Sequence, residues 1–157
     1  MPTPLGLEHA RYLRRETLLG CVFNGVLSVV FAVLIFRGAD LIPLWGPQGV
    51  AVDLVPTVFM ITLVGNLIVT LLTRQRVRSG AVPRLEATTR LPRRALLRML
   101  LLAVLATLVI VPISIGALVL LGIESMRFAP FVAFKVVYGA AVGALTAPLV
   151  IRAALSD

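Results

Sequence analysis

TRQRVRSGAVPRLEATTRLPRRALLR, Thr73 to Arg98, holds eight of the chain's fourteen arginines against a single acid, Glu86. Apolar runs flank it on both sides. A stretch this rich in guanidinium is not carried through hydrocarbon, so it marks the face of a membrane that stays cytoplasmic. The rest of the layout follows from that assignment.

The composition demands a bilayer: 59% of the 157 residues are hydrophobic, 14% are charged, and the mean hydropathy is +1.03. The formal net charge of +8 is concentrated in the arginine segment, which makes it a topology signal before it is a sign of nucleic acid. That segment also lacks an aromatic residue on which bases could stack. The only cysteine, Cys21, lies in an apolar run and reads as a small buried hydrophobe.

Working outward from the segment, the hydropathy pattern predicts an all-α polytopic membrane protein with a single domain over residues 1–157. Its spans fall at about 17–36, 54–73, 99–121 and 128–151, with a basic cytoplasmic loop over 74–98. The first span follows Arg11, Arg14 and Arg15. It is longer than the apolar core of a signal peptide and lacks a clean cleavage site, so it is expected to stay. The connector Arg37 to Asp53, broken by Pro43, Gly46, Pro47 and Gly49, forms the first outer loop, with Trp45 as an interfacial anchor. Pro56 is expected in the first turn of the second span and Pro130 in that of the fourth, while Pro112 should kink or locally widen the third.

The inner segments carry nearly all the arginines; the outer ones carry only Arg37 and Arg127. Both termini are therefore expected in the cytoplasm, and the four spans are read as two antiparallel hairpins. Compactness and the preference for arginine over lysine point to a bacterial inner membrane. A weak echo links the halves: Arg14-Arg15 recurs as Arg93-Arg94, Val64-Gly65 as Val142-Gly143, and Arg74 as Arg152. A true tandem repeat would be of the parallel kind, about an axis along the membrane normal.

Function is sought in the polar groups that hydrocarbon should reject. Asn24 and Ser28 share a helical face, as do Thr62, Asn66 and Thr70. Asn24 and Asn66 fall at matched depth, where a mutual hydrogen bond would clamp two helices together. Lys135 is the only lysine and lies about 10 Å below the outer surface by helix rise. Its partner is sought among Asp53, Glu124 and Asp40, with Ser114 as a neutral helper. Glu16 is expected to meet Arg14, Arg15 or the arginine loop. Lys135, Gly139, Gly143 and Ala147 recur at every fourth residue, a small-residue stripe that should face a helix of this chain or of a second copy.

No catalytic, metal or cofactor set is legible, because His9 is the only histidine and no glycine-rich phosphate loop or paired carboxylates occur. Two functional classes remain. The first is a non-catalytic subunit or assembly factor of a membrane complex, acting through helix packing. The second is a small oligomeric transporter or channel for an ion or small anionic solute, using Lys135, Asn24, Asn66, Ser28 and Ser114. Expected partners are the bilayer itself and anionic lipid headgroups at Arg74, Arg76, Arg78, Arg93 and Arg94. A homo-oligomer or larger complex is expected as well, and no nucleic acid.

Overall fold

The computed structural model describes residues 4–83 and 94–155. It is all-helical apart from one small ribbon. Helix α1 spans Pro4–Phe36, α2 spans Val50–Arg78, α3 spans Ala95–Leu120 and α4 spans Phe128–Leu155; strands β1 (Leu41–Pro43) and β2 (Ser125–Arg127) lie in the two short connectors. All four helices contain a stretch long and apolar enough to cross a membrane. Each extends past the expected span at one end or both. The reason is plain in α2, where Gly49 in extended conformation starts the helix at Val50, so Pro56 lies inside it and not in its first turn.

The most extensive helix pairing is α1 with α4. Helix α3 packs on α2, and α2 packs on α4. The lateral order is therefore α1, α4, α2, α3, with the sequence-adjacent pairs α1/α2 and α3/α4 only lightly in contact. Burial agrees: 44% and 50% of the most apolar stretches of α2 and α4 are buried, against 22% and 17% for α1 and α3. Helices α2 and α4 form the centre, and α1 and α3 flank them.

Close approach of α1 to α4 depends on the glycines of the small-residue stripe. A Cβ at Gly139 would lie 2.2 Å from Ser28 Oγ and 2.8 Å from the Asn24 carbonyl oxygen; one at Gly143 would lie 2.5 Å from Asn24 Nδ2. Ala147 continues this face against Gly20. The stripe is thus consumed inside the chain. Gly139→Ala should destabilise the protein by about 1–3 kcal/mol, because a main-chain carbonyl cannot swing aside as a side chain can. Thermal unfolding in detergent measures this, and an unchanged midpoint would contradict the packing.

One end of the bundle is capped by the ribbon. Strands β1 and β2 pair antiparallel with Ile42 opposite Met126, Leu41 opposite Arg127 and Pro43 opposite Ser125. Ile42, Leu44 and Met126 are buried beneath it and join Phe36 and Phe131, whose rings meet edge to face at 4.8 Å. Both connectors open alike: α1 and α3 each end two residues before a glycine of positive φ, Gly38 at 91° and Gly122 at 68°, a conformation open to glycine without strain. Gly122 closes α3 with the paired bonds of a Schellman turn, Gly122 N–H to Val119 O and Ile123 N–H to Leu118 O.

Candidate functional site: the polar face of α2

Helix α2 is not regular. Ile61–Gly65 form a π-turn, a single widened turn that accommodates one extra residue. This is where local widening occurs; α3 is α-helical throughout Ala95–Leu120, with Pro112 on its exposed side, so of the kink or widening expected at Pro112 the widening is absent. The extra residue has a structural consequence. Asp53 and Thr57 are four apart, Thr57 and Thr62 five, and Thr62, Asn66 and Thr70 four again, with Thr73 following. Wound as a regular α-helix, the same residues would turn the inner half of α2 about 100° from the outer half. With the widened turn, all six side chains are buried inside the bundle.

At the end of α2 nearest the ribbon, this face meets α4. Lys135, fully buried, donates through Nζ to Asp53 Oδ2 at 2.6 Å and to the Thr57 hydroxyl. Thr57 Oγ1 in turn donates to the Asp53 carbonyl at 2.7 Å, and the Phe131 ring lies 5.9 Å from Nζ. Of the three acids considered for Lys135, Asp53 is the partner, and the neutral helper is Thr57 and not Ser114. Ser114 donates to the Ile110 carbonyl at 2.7 Å and meets the Tyr138 hydroxyl at 3.2 Å, which ties α3 to α4 away from Lys135.

At the opposite end the face meets α1 and α3. Arg76 donates to Glu16, whose carboxylate is buried, and to the Tyr12 hydroxyl at 3.4 Å. Tyr12 and Thr73 share a 3.1 Å hydrogen bond, and the Thr70 hydroxyl contacts Met99 Sδ at 3.9 Å. Among the arginines assigned to lipid headgroups, Arg76 is therefore committed to Glu16 while remaining half-exposed, Arg78 and Arg94 are exposed, and Arg93 lies outside the described residues. Arg98 at the start of α3 is fully buried, which its position in a basic run did not foretell.

Between these ends lies a cluster of a different kind. Asn24 Oδ1, Ser28 Oγ, Thr62 Oγ1 and Asn66 Nδ2 are all buried and have no hydrogen-bond partner among the described residues. The expected Asn24–Asn66 clamp is not made. The widened turn presents the backbone of Gly65 to Asn24 in place of the Asn66 amide, and a Cβ at Gly65 would lie 2.7 Å from Asn24 Oδ1. Among the described residues, no three His, Cys, Asp or Glu side chains gather as a metal site.

Tyr12, Thr57, Thr73 and Tyr138 were not singled out from the sequence. Thr57 carried a usable signal, four residues after Asp53 on one helical face; the tyrosines carried none. No protein family, curated protein or solved structure matches this chain.

Proposed function

We propose that this chain is a small, non-enzymatic transporter or channel of the bacterial inner membrane, which moves an ion or small solute along the polar face of α2. The four unpartnered polar atoms at mid-depth carry this reading. In hydrocarbon an unpaired hydroxyl or amide costs several kcal/mol, and packing alone would be served better by alanine or leucine. The buried Lys135–Asp53 pair on the same face adds to it, since ionisable groups inside spans mark pathways more often than scaffolds.

The arginines beyond α2 and before α3 support a cytoplasmic placement for that end, which puts both ends of this chain inside and the ribbon outside. Arg11, Arg14 and Arg15 line an open groove with Leu18 and Leu19 at this end, a setting that suits anionic headgroups alongside Arg74 and Arg78. Helices packed this closely enclose no wide aqueous path, so a homo-oligomer or larger complex is the working unit. The strand register supports a tandem repeat: Ile42 pairs with Met126, and Gly38 stands to Gly122 as Ile42 stands to Met126, which puts a two-fold axis through that pair.

A second reading, the non-catalytic packing subunit, is favoured by one observation: Lys135 is fully paired. Its expected docking face is taken up internally, however, because Gly139 and Gly143 face α1. Flux measurements separate the two. Purified protein in liposomes should raise the permeability to at least one of protons, sodium, potassium, chloride or a small neutral solute at least tenfold over protein-free vesicles, and Asn66→Leu should abolish the rise. Flux indistinguishable from empty vesicles across the panel would leave the packing subunit as the better account.

A further inference from the structure

The unpartnered cluster has a chemical bias. Three of its four atoms are oxygens, Asn24 Oδ1, Ser28 Oγ and Thr62 Oγ1, against one nitrogen, Asn66 Nδ2. They come from two helices that meet at the π-turn, where Asn24 lies on Gly65, while Gly139 of α4 closes on Ser28. Thr62 and Ser28 each lie about one helical turn from that crossing, toward the ribbon, which places the oxygens at neighbouring levels.

We infer that this cluster is a binding site for a dehydrated monovalent cation, with sodium or potassium as the probe. Neutral oxygens set beside an irregular turn in a spanning helix are the donors such a cation takes in exchange for its water. A divalent cation is disfavoured, since it needs carboxylates, and both acids buried among the described residues are committed elsewhere: Asp53 to Lys135 and Glu16 to Arg76. A small anion is disfavoured for the complementary reason. Those same two cations are already neutralised, and Arg98 is buried further toward the inner end, beyond the level where Thr70 meets Met99. In naming the cation as cargo or coupling ion the inference rests on the transport reading; the site itself is tested apart from flux.

The test is thermal unfolding of the full chain in detergent, with sodium, potassium or choline chloride at equal ionic strength. Sodium at roughly tenfold its dissociation constant should raise the midpoint by about 3–6 °C over choline. Ser28→Ala and Thr62→Val, which remove a hydroxyl each and add no bulk, should fold and lose most of that rise. A potassium-specific rise lost in the same variants would keep the site and change the ion. Equal midpoints in all three salts, or a sodium rise retained in both variants, would overturn the proposal and leave buried water as the occupant. Sodium binding without flux would instead sink the transport reading and spare the site, whereas flux in a protein whose midpoint ignores the salt would do the reverse.

Discussion

Replacing Lys135 with methionine should cost the fold about 3–5 kcal/mol, because it leaves the Asp53 carboxylate buried with no counter-charge. Adding Asp53→Leu should return most of the loss, since two apolar groups of similar volume fill the same space without a charge to desolvate. Unfolding in a graded denaturing detergent, run on both single variants and the double, measures the coupling directly. A Lys135→Met protein as stable as the parent would show that the pair is not buried between α2 and α4. The stable double variant also bears on function. If it still carries flux in liposomes, Lys135 and Asp53 are a clamp beside the path; if flux is lost while the fold is kept, they belong to the path.

The second large effect should come from lengthening α2 by one residue. An alanine inserted between Gly65 and Asn66, just past the π-turn, swings everything beyond it by about 100°. Asn66, Thr70 and Thr73 would then leave the bundle interior, and Arg76 would lose Glu16 and Tyr12 together. The loss should exceed about 4 kcal/mol, the range reserved for broken buried networks, so the protein should fail to accumulate in membranes. Leu63→Ala, which keeps the count of residues, should accumulate near the parent level. Normal accumulation of the insertion would mean that the polar face does not depend on the phase set at the π-turn.

The contrast between those two variants shows what the sequence could and could not convey. Four apolar runs separated by an arginine segment and two short connectors were enough to place four helices, because hydropathy and length alone decide whether a helix can span. The fourth-residue spacing of Thr62, Asn66 and Thr70 was readable, as was that of the Lys135 stripe. The link from Thr57 to Thr62 was not, since a spacing of five breaks the period that marks a helical face, and nothing in ITLVG announces a π-turn.

Helix order was equally hidden. Short connectors favour neighbours in sequence, yet the ribbon between β1 and β2 ties the connectors together and lets α4 sit between α1 and α2. The repeat was blurred for a related reason. Leu44 to Gly49 separate β1 from α2, whereas β2 runs straight into α4, so Ile42 and Met126 are 84 residues apart while Gly65 and Gly143 are 78 apart. The Asn24–Asn66 clamp failed at the same place, because matched depth along two helices says nothing about rotation once a turn has been widened.

The claim beneath all of this is that one face of α2 carries polar groups through the membrane where water or an ion reaches them. Cysteine scanning in native membranes, with Cys21 replaced by serine, tests it most directly. Cysteines at Thr62, Asn66 and Thr70 should react with a small cationic methanethiosulfonate, while those at Met60, Ile68 and Leu71 on the exposed apolar side should not. Equal silence on both sides, in protein shown to be folded, would mean that the face is dry and that no path runs along α2.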